Sequence, residues 1–464
     1  MNIFGVDAVG SSAQDRAFAS SVKFVRSQDE LGLWSPSATG RVFTAKEALA
    51  LFGAERLIEV WNEGSAILPP NSSEPAKTLR ERREALGLTQ TDLSKFLKMD
   101  LGTIAKAESP DFTSGIHDLT RIAISLGLED AVLGFQPGAS GDNSLAVRLK
   151  EWKRDGAKPN TIAKLSSITW IIATQNRLQR LLAPNSNPMA GFVKSDYYGN
   201  SSYPVWDIAS ELALKTRKLM GLSATEPIPS LRVLCQGLQI PLIHSSLHSS
   251  IAGCTLSTGS ARGVVVNVNG NDGNVWVQRA TVAHELGHLL WDTDERLKSL
   301  VVDNLDQIEK IVQERSPKDW VEARANAFAV ELIAPKAAIR EFVGPIDTTD
   351  SSTISEAIRK CMVHFGLSAT AMRYHLWNAY DRSFDVDNVR SIDPTPTDDW
   401  KGREQFTDDF FVLPDTPLER RGEFAAVIVK SEREKWISEE TAAFYLETNV
   451  HSYQAKSNEI LSLF

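Results

Sequence analysis

Two histidines four residues apart with a glutamate directly after the first, His284-Glu285-Leu286-Gly287-His288, constrain this chain more than any other stretch of it. On a helix, residues at that spacing stand one above the other on a single face. Both imidazoles can then grip one metal ion while the intervening carboxylate reaches a water. Zinc held by three protein ligands with one open position lowers the pKa of its water to about 7, and Glu285 is placed to take that proton and pass it to a leaving group. With 8 His in 464 residues, five such letters arise by chance on the order of once in a hundred chains. The neighbourhood therefore decides what they mean.

The neighbourhood supports a metal. Trp276 to Ala283 contains no Gly or Pro and runs on into Leu289-Leu290-Trp291, which predicts a helix of several turns. Val277, Ala280, Thr281, His284 and His288 fall on one stripe of it, and Asp292 and Asp294 close it in a polar turn. Gly287 costs about 1 kcal/mol of helix propensity against Ala, and its small size leaves room for a second backbone or a substrate strand. A third ligand is expected from Trp320 to Ala334, an Ala-rich helical run that Pro335 closes. Glu322 shares a face there with Ala325, Asn326 and Ala329. Glu331, nine positions on and roughly in phase, is the alternative.

His284 to Leu290, followed by Glu322 to Ala329 and by Leu332 to Pro335, resembles the ImmA/IrrE family of metallopeptidases. The likeness extends upstream through Ile240 to Ile243, Ile251 to Gly253 and Val264 to Asn267, and spans about residues 205 to 380. It implies His284, His288 and Glu322 as zinc ligands and Glu285 as catalytic base. Mn²⁺ is a second metal such a mixed His/carboxylate site accepts. Ala334 departs from the family, which usually has Met there. The resemblance implies cleavage of a regulatory protein, such as a helix-turn-helix repressor, under stress or in mobile-element control.

A second pattern lies upstream. Leu79 to Leu86 reads as a helix stopped at Gly87, Thr89 caps a second helix through Leu97, and Asp100 caps a third through Glu108. Two short helices joined by a tight turn can place the second in a major groove. The run resembles the XRE (lambda-repressor-like) family, and His117 to Leu128 resembles that family's last core helix. Lys98 stands where the turn usually has Gly, and Ser109 where a later Gly often sits. The resemblance implies base-reading contacts from Gln90, Leu101, Gly102, Thr103 and Lys106. Lys77, Arg80, Arg82, Arg83, Lys95 and Lys98 are expected on phosphates. Seven basic residues oppose five acidic ones from Ala76 to Glu108, a modest attraction that favours a homodimer on a double-stranded operator.

Composition sets the frame. A chain of 464 residues, 42% hydrophobic and 23% charged, is folded material of several domains. No apolar run approaches the roughly 20 residues of a membrane span, so no membrane partner is expected. The N-terminus lacks a basic region followed by an apolar core, and three scattered cysteines make no disulfide framework. Both point to the cytoplasm, and the net charge of −9 opposes broad nucleic-acid binding.

The expected fold is α+β, a helical helix-turn-helix domain followed by a zincin-like domain of helices with a small sheet. In segments, 1–75 is an N-terminal region of unknown role, 76–136 the helix-turn-helix, 144–184 a helical connector, 205–380 the metallopeptidase-like domain, and 384–464 a small C-terminal helical unit. Thr44 to Glu47 reads as a capping box, Asn160 as a cap, and 68–73 and 137–143 as linkers. His244, His248, His364 and His375 lack ligand spacing, although His375 lies in a later helix that could approach a cleft. Trp170, Trp206, Trp276 and Trp377 read as core, and nothing gives Cys254 a nucleophile's role. Three functions follow: a DNA-binding regulator fused to a zinc endopeptidase, a non-catalytic metal-binding sensor, or an antitoxin-like regulator that holds a partner protein.

Overall fold

The computed structural model describes residues 3–26, 41–66, 73–110, 115–129, 149, 156–194, 204–258, 261–297, 302–304, 320–387, 389–404 and 411–463. The expected linker at 137–143 lies outside them, as do nearly all of the linker at 68–73 and the first part of the connector. The chain forms two compact units. One comprises 1–186, 257–261 and 411–464; the other comprises 187–256 and 262–410.

The first unit begins with helix α1 (Ala13–Ala19), a two-stranded antiparallel sheet of β1 (Lys23–Val25) and β2 (Val42–Thr44), and helix α2 (Ala45–Glu63). Thr44 caps α2 by accepting from the Glu47 amide. The capping box is only half made, because the buried Glu47 carboxylate instead accepts from the Ser438 amide and the Thr441 hydroxyl. Helices α3 (Ser73–Ala85), α4 (Gln90–Leu97), α5 (Leu101–Ala107) and α6 (Ile116–Ser125) follow. Thr89 and Asp92 form a full capping box on α4, and Asp100 caps α5. Lys98 ends α4 in the left-handed region at φ 52°, a conformation that costs a residue with a Cβ roughly 1–2 kcal/mol. That is why Gly commonly occupies such a turn.

Helix α7 (Pro159–Leu182) has Pro159 in its first turn, so Asn160 lies inside the helix and is not its cap. Pro is tolerated there because its missing N–H would be an orphan in any case. Ile162, Leu165, Ile168, Trp170 and Ile172 are all buried.

The second unit opens with α8 (Val205–Leu219) and α9 (Leu231–Gly237), then a four-stranded sheet of β3 (Leu242–Ser245), β4 (Ile251–Thr258), β5 (Ala261–Asn267) and β6 (Val302–Asn304) in the order β3-β5-β4-β6. β3 is parallel to β5, and β6 antiparallel to β4. Helix α10 (Val275–Trp291) carries the histidines; after the short α11 (Asp294–Leu297), α12 (Trp320–Ile333) carries Glu322. A Cβ on Gly253 would lie 2.6 Å from the Val265 carbonyl and 2.7 Å from Thr281 Cγ2. Glycine therefore lets β4 approach both its neighbour strand and α10. Helices α13 (Lys336–Val343), α14 (Ser351–Phe365), α15 (Ala369–Ala379) and α16 (Asp398–Glu404) complete the unit. Glu404 is fully buried, ion-paired to Arg279 of α10, and accepts from the Ser230 hydroxyl and the Leu231 amide. Residues up to Glu404 thus belong to the second unit, beyond the expected boundary at 384.

Helices α17 (Glu423–Arg433), α18 (Glu439–Tyr445) and α19 (Val450–Ser462) return to the first unit. Trp170 of α7 packs edge-on against Phe424 and Tyr445, 6.3 and 5.0 Å between ring centres. Residues 411–463 are thus part of the N-terminal unit's core. Sequence order hid this, because aromatic pairing across more than 250 positions leaves no local signal. No helix among the described residues is long and apolar enough to cross a membrane, and the mixture of many helices with small sheets is α+β.

Candidate metal centre

The α10 stripe is buried along most of its length, and its polar members converge. His284 Nε2 lies 3.1 Å from His288 Nε2, and Glu322 Oε2 lies 3.3 and 3.4 Å from those two nitrogens. Four ligands about 2.0–2.1 Å from a zinc ion stand about 3.3–3.4 Å apart along a tetrahedron's edges. The three atoms are thus spaced as three corners of such a site.

The outer hydrogen bonds say which way the rings face. His284 Nδ1 is 2.8 Å from Asn326 Oδ1, and His288 Nδ1 is 2.7 Å from Asp292 Oδ2. Both acceptors call for a proton on Nδ1, which leaves each neutral ring with its Nε2 lone pair aimed inward. Two nitrogen lone pairs and a carboxylate facing one another in a buried space need a cation or a shared proton between them. Burial favours the neutral His288 ring, yet Glu322 and Asp292 beside it outweigh that and hold its pKa up at about 10. Burial likewise opposes the Glu322 anion, while His288 and His284 hold the carboxyl below its usual range. His284, His288 and Glu322 are the one group of metal-competent side chains among the described residues, and they fit zinc in donor type, spacing and orientation.

Glu285, the neighbour in sequence, is buried and accepts a 2.7 Å hydrogen bond from the Thr255 hydroxyl on β4. Asp292, expected only as a helix terminator, caps α10, holds His288 and pairs with the buried Arg324 of α12. Its spacing of four from His288 was the available clue. Asn326 could have been found as the residue one turn beyond Glu322. Thr255 had no sequence signal, because only the sheet brings it to α10.

Glu331, the alternative, lies outside that group. Its carboxylate accepts from the Lys336 amide at 3.1 Å and lies 3.8 Å from His375 Nε2. His375 is buried, 2.6 Å from the Ala334 carbonyl, and serves packing. A Cβ on Gly287 would lie 2.9 Å from Phe328 and 3.5 Å from Ala325 Cα. The glycine admits α12, which brings Glu322 within reach. Cys235, Cys254 and Cys361 are buried thiols, and burial pushes the Cys361 thiol up to about 12.

The helix-turn-helix candidates divide. Leu101, Gly102 and Lys106 are exposed on α5, and Thr103 is half-buried beside them. Gln90 is half-buried, and its Nε2 donates to Glu108 at 2.9 Å. Arg82 and Arg83 are corrections to the phosphate reading. Arg82 is buried and donates to the Leu126 carbonyl at 2.9 Å. Arg83 is also buried, with a two-pronged pair to Glu108 at 2.6 and 2.8 Å and a third bond to the Leu88 carbonyl. Their charge is spent on holding α3, α5 and the turns together.

Residues 260–376 match the family model described as the IrrE N-terminal-like domain. The match takes in β5, α10 and α12 to α14, with both histidines, Glu285 and Glu322, in about a quarter of the chain. It supports the ImmA/IrrE resemblance for this part and a metallopeptidase-like domain. No curated protein matches the chain.

Proposed function

We propose that the chain is a metal-dependent endopeptidase joined to a DNA-reading module. Its protein substrate would be a regulator, such as a helix-turn-helix repressor, in stress or mobile-element control. The observation that carries the reading is the convergence of His284 Nε2, His288 Nε2 and Glu322 Oε2 within 3.1 to 3.4 Å, next to Glu285 on the same helix. Zinc, or manganese in its place, would supply a Lewis acid at that point and bring a water's pKa down to about 7. Asn326 and Asp292 hold the two imidazoles in the tautomer that ligation needs. Glu285 takes a proton from the attacking water on Oε1 or Oε2 and returns it to the amine leaving group. Thr255 fixes the carboxylate's direction. On the DNA side, Leu101, Gly102, Thr103 and Lys106 form the outward face of α5 and would meet an operator, with Gln90 at its edge, in a homodimer in the cytoplasm.

The test is terminal proteomics. Zinc-loaded full-length protein is incubated with the proteome of its own cell, and new N-termini are compared with those made by Glu285→Gln. Cleavages present with the wild type and missing with the variant support the reading; identical termini overturn catalysis. A non-catalytic sensor is the second reading, favoured by the burial of Glu285 and its engagement by Thr255.

A further inference from the structure

We propose that the first unit contains a binding site for a small organic carboxylate with an apolar body, built against the turn between α4 and α5. The site is a cavity of about 590 Å³ bounded by the end of α4, α6, α7 and the segments flanking α17 and α18. That volume lies within the roughly 300–1,000 Å³ of small-molecule pockets. Phe96, Ile124, Ile171 and Phe444 supply its apolar surface. An edge-on contact between His117 and Phe444, 5.9 Å between ring centres, joins two of its walls.

The charges select an anion. The two acidic residues on the lining are already matched: Glu419 pairs with Lys164 at 3.0 Å, and Glu447 with Arg420 at 2.7 Å. Among the described residues, Arg121 and Lys98 remain as cations without an ion pair on the same lining. Arg121 donates one N–H to the Leu97 carbonyl at 3.2 Å, which fixes its guanidinium and leaves its other donors for a carboxylate. Lys98 has no carboxylate partner among the described residues. An apolar body against the aromatic and branched side chains with its carboxylate on Arg121 and Lys98 satisfies both halves of the lining. Leu97 ends α4 and Lys98 opens the turn into α5, so an occupant touches the segment that leads to the exposed face of that helix.

The experiment is calorimetric titration of the full-length protein with 1-naphthoate and with decanoate, using 1-naphthalenemethanol as the uncharged control. We expect one site per chain for at least one carboxylate, and at least tenfold weaker binding of the alcohol. Arg121→Glu, at an exposed position on α6, should weaken carboxylate binding at least tenfold. Ser167→Phe, which places a ring in the cavity, should abolish it. Circular dichroism and the thermal midpoint report whether each variant is folded, and Arg121→Glu decides the matter if the larger side chain disturbs α7. Neither carboxylate binding saturably up to the millimolar range, the alcohol binding as tightly, or Arg121→Glu binding like wild type would each overturn the proposal.

Discussion

The α10–α12 pair and the α3–α5 pair both carry or end in charged residues that face a neighbouring helix, yet they bury them to opposite ends. In the first, His284, His288 and Glu322 are drawn inward so that ligand atoms face one another. In the second, Arg83 and Glu108 are drawn inward so that two opposite charges cancel. Burial of acceptors against acceptors creates a need for something from outside. Burial of a donor against an acceptor completes a structure and needs nothing more. A charged residue in a functional-looking motif therefore has to be judged by what its buried partners leave unsatisfied.

Loss of either imidazole should have the strongest consequence. His284→Ala or His288→Ala should leave no zinc after dialysis, measured by elemental analysis, because two remaining ligands cannot match three. Glu285→Gln should retain it. Zinc retained at one per chain in His284→Ala would contradict the assignment.

Arg83→Ala comes next. It leaves the buried Glu108 carboxylate without its guanidinium, and breaking a buried pair in this way costs about 3–5 kcal/mol. Urea unfolding followed by circular dichroism should show that loss in the first unit. A variant as stable as wild type, with only weaker and less salt-sensitive DNA binding, would restore Arg83 to the phosphates.

Glu47 sharpens the contrast from a third side. Burial pushes its carboxyl up to about 7 although Arg41, Thr441, Ser438 and Arg177 favour the anion. The folded chain therefore binds more protons than the unfolded chain between about pH 4.5 and 7. Stability is fully present below that window and falls as pH rises through it, by about 3 kcal/mol at most. Denaturant midpoints at pH 5 and pH 7.5 should differ in that direction, and Glu47→Gln should flatten the difference.

The smallest expected change is in the support around the metal. Asn326→Ala frees the His284 ring without removing a ligand, and loss of such a partner weakens metal binding about 10- to 100-fold. Competition with a zinc chelator measures it. An unchanged affinity would mean that packing alone orients His284.

The two regions also differ in what their sequences disclosed. The metal cluster was readable because its spacing is local on each of two helices, and Glu322 stood out among alanines. Thr255 was not, since β4 meets α10 only through the sheet. In α3 to α5, the caps at Thr89 and Asp100 and the unusual Lys98 were readable from turn chemistry. The burial of Arg82 and Arg83 was not, because a basic residue on an amphipathic helix looks alike whether it faces phosphate or a carbonyl. Helices α17 to α19 were legible as helices but not as part of the first unit. Nothing local marks Trp170 as the partner of Phe424 and Tyr445.

X-ray absorption at the zinc edge of the loaded protein reads out whether His284, His288 and Glu322 hold one metal ion. One zinc per chain is expected, with two imidazole nitrogens at about 2.0–2.1 Å, oxygen in the remaining positions and no sulfur, a signature that His288→Ala abolishes. A sulfur shell at about 2.3 Å, or a spectrum that His288→Ala leaves unchanged, would contradict it.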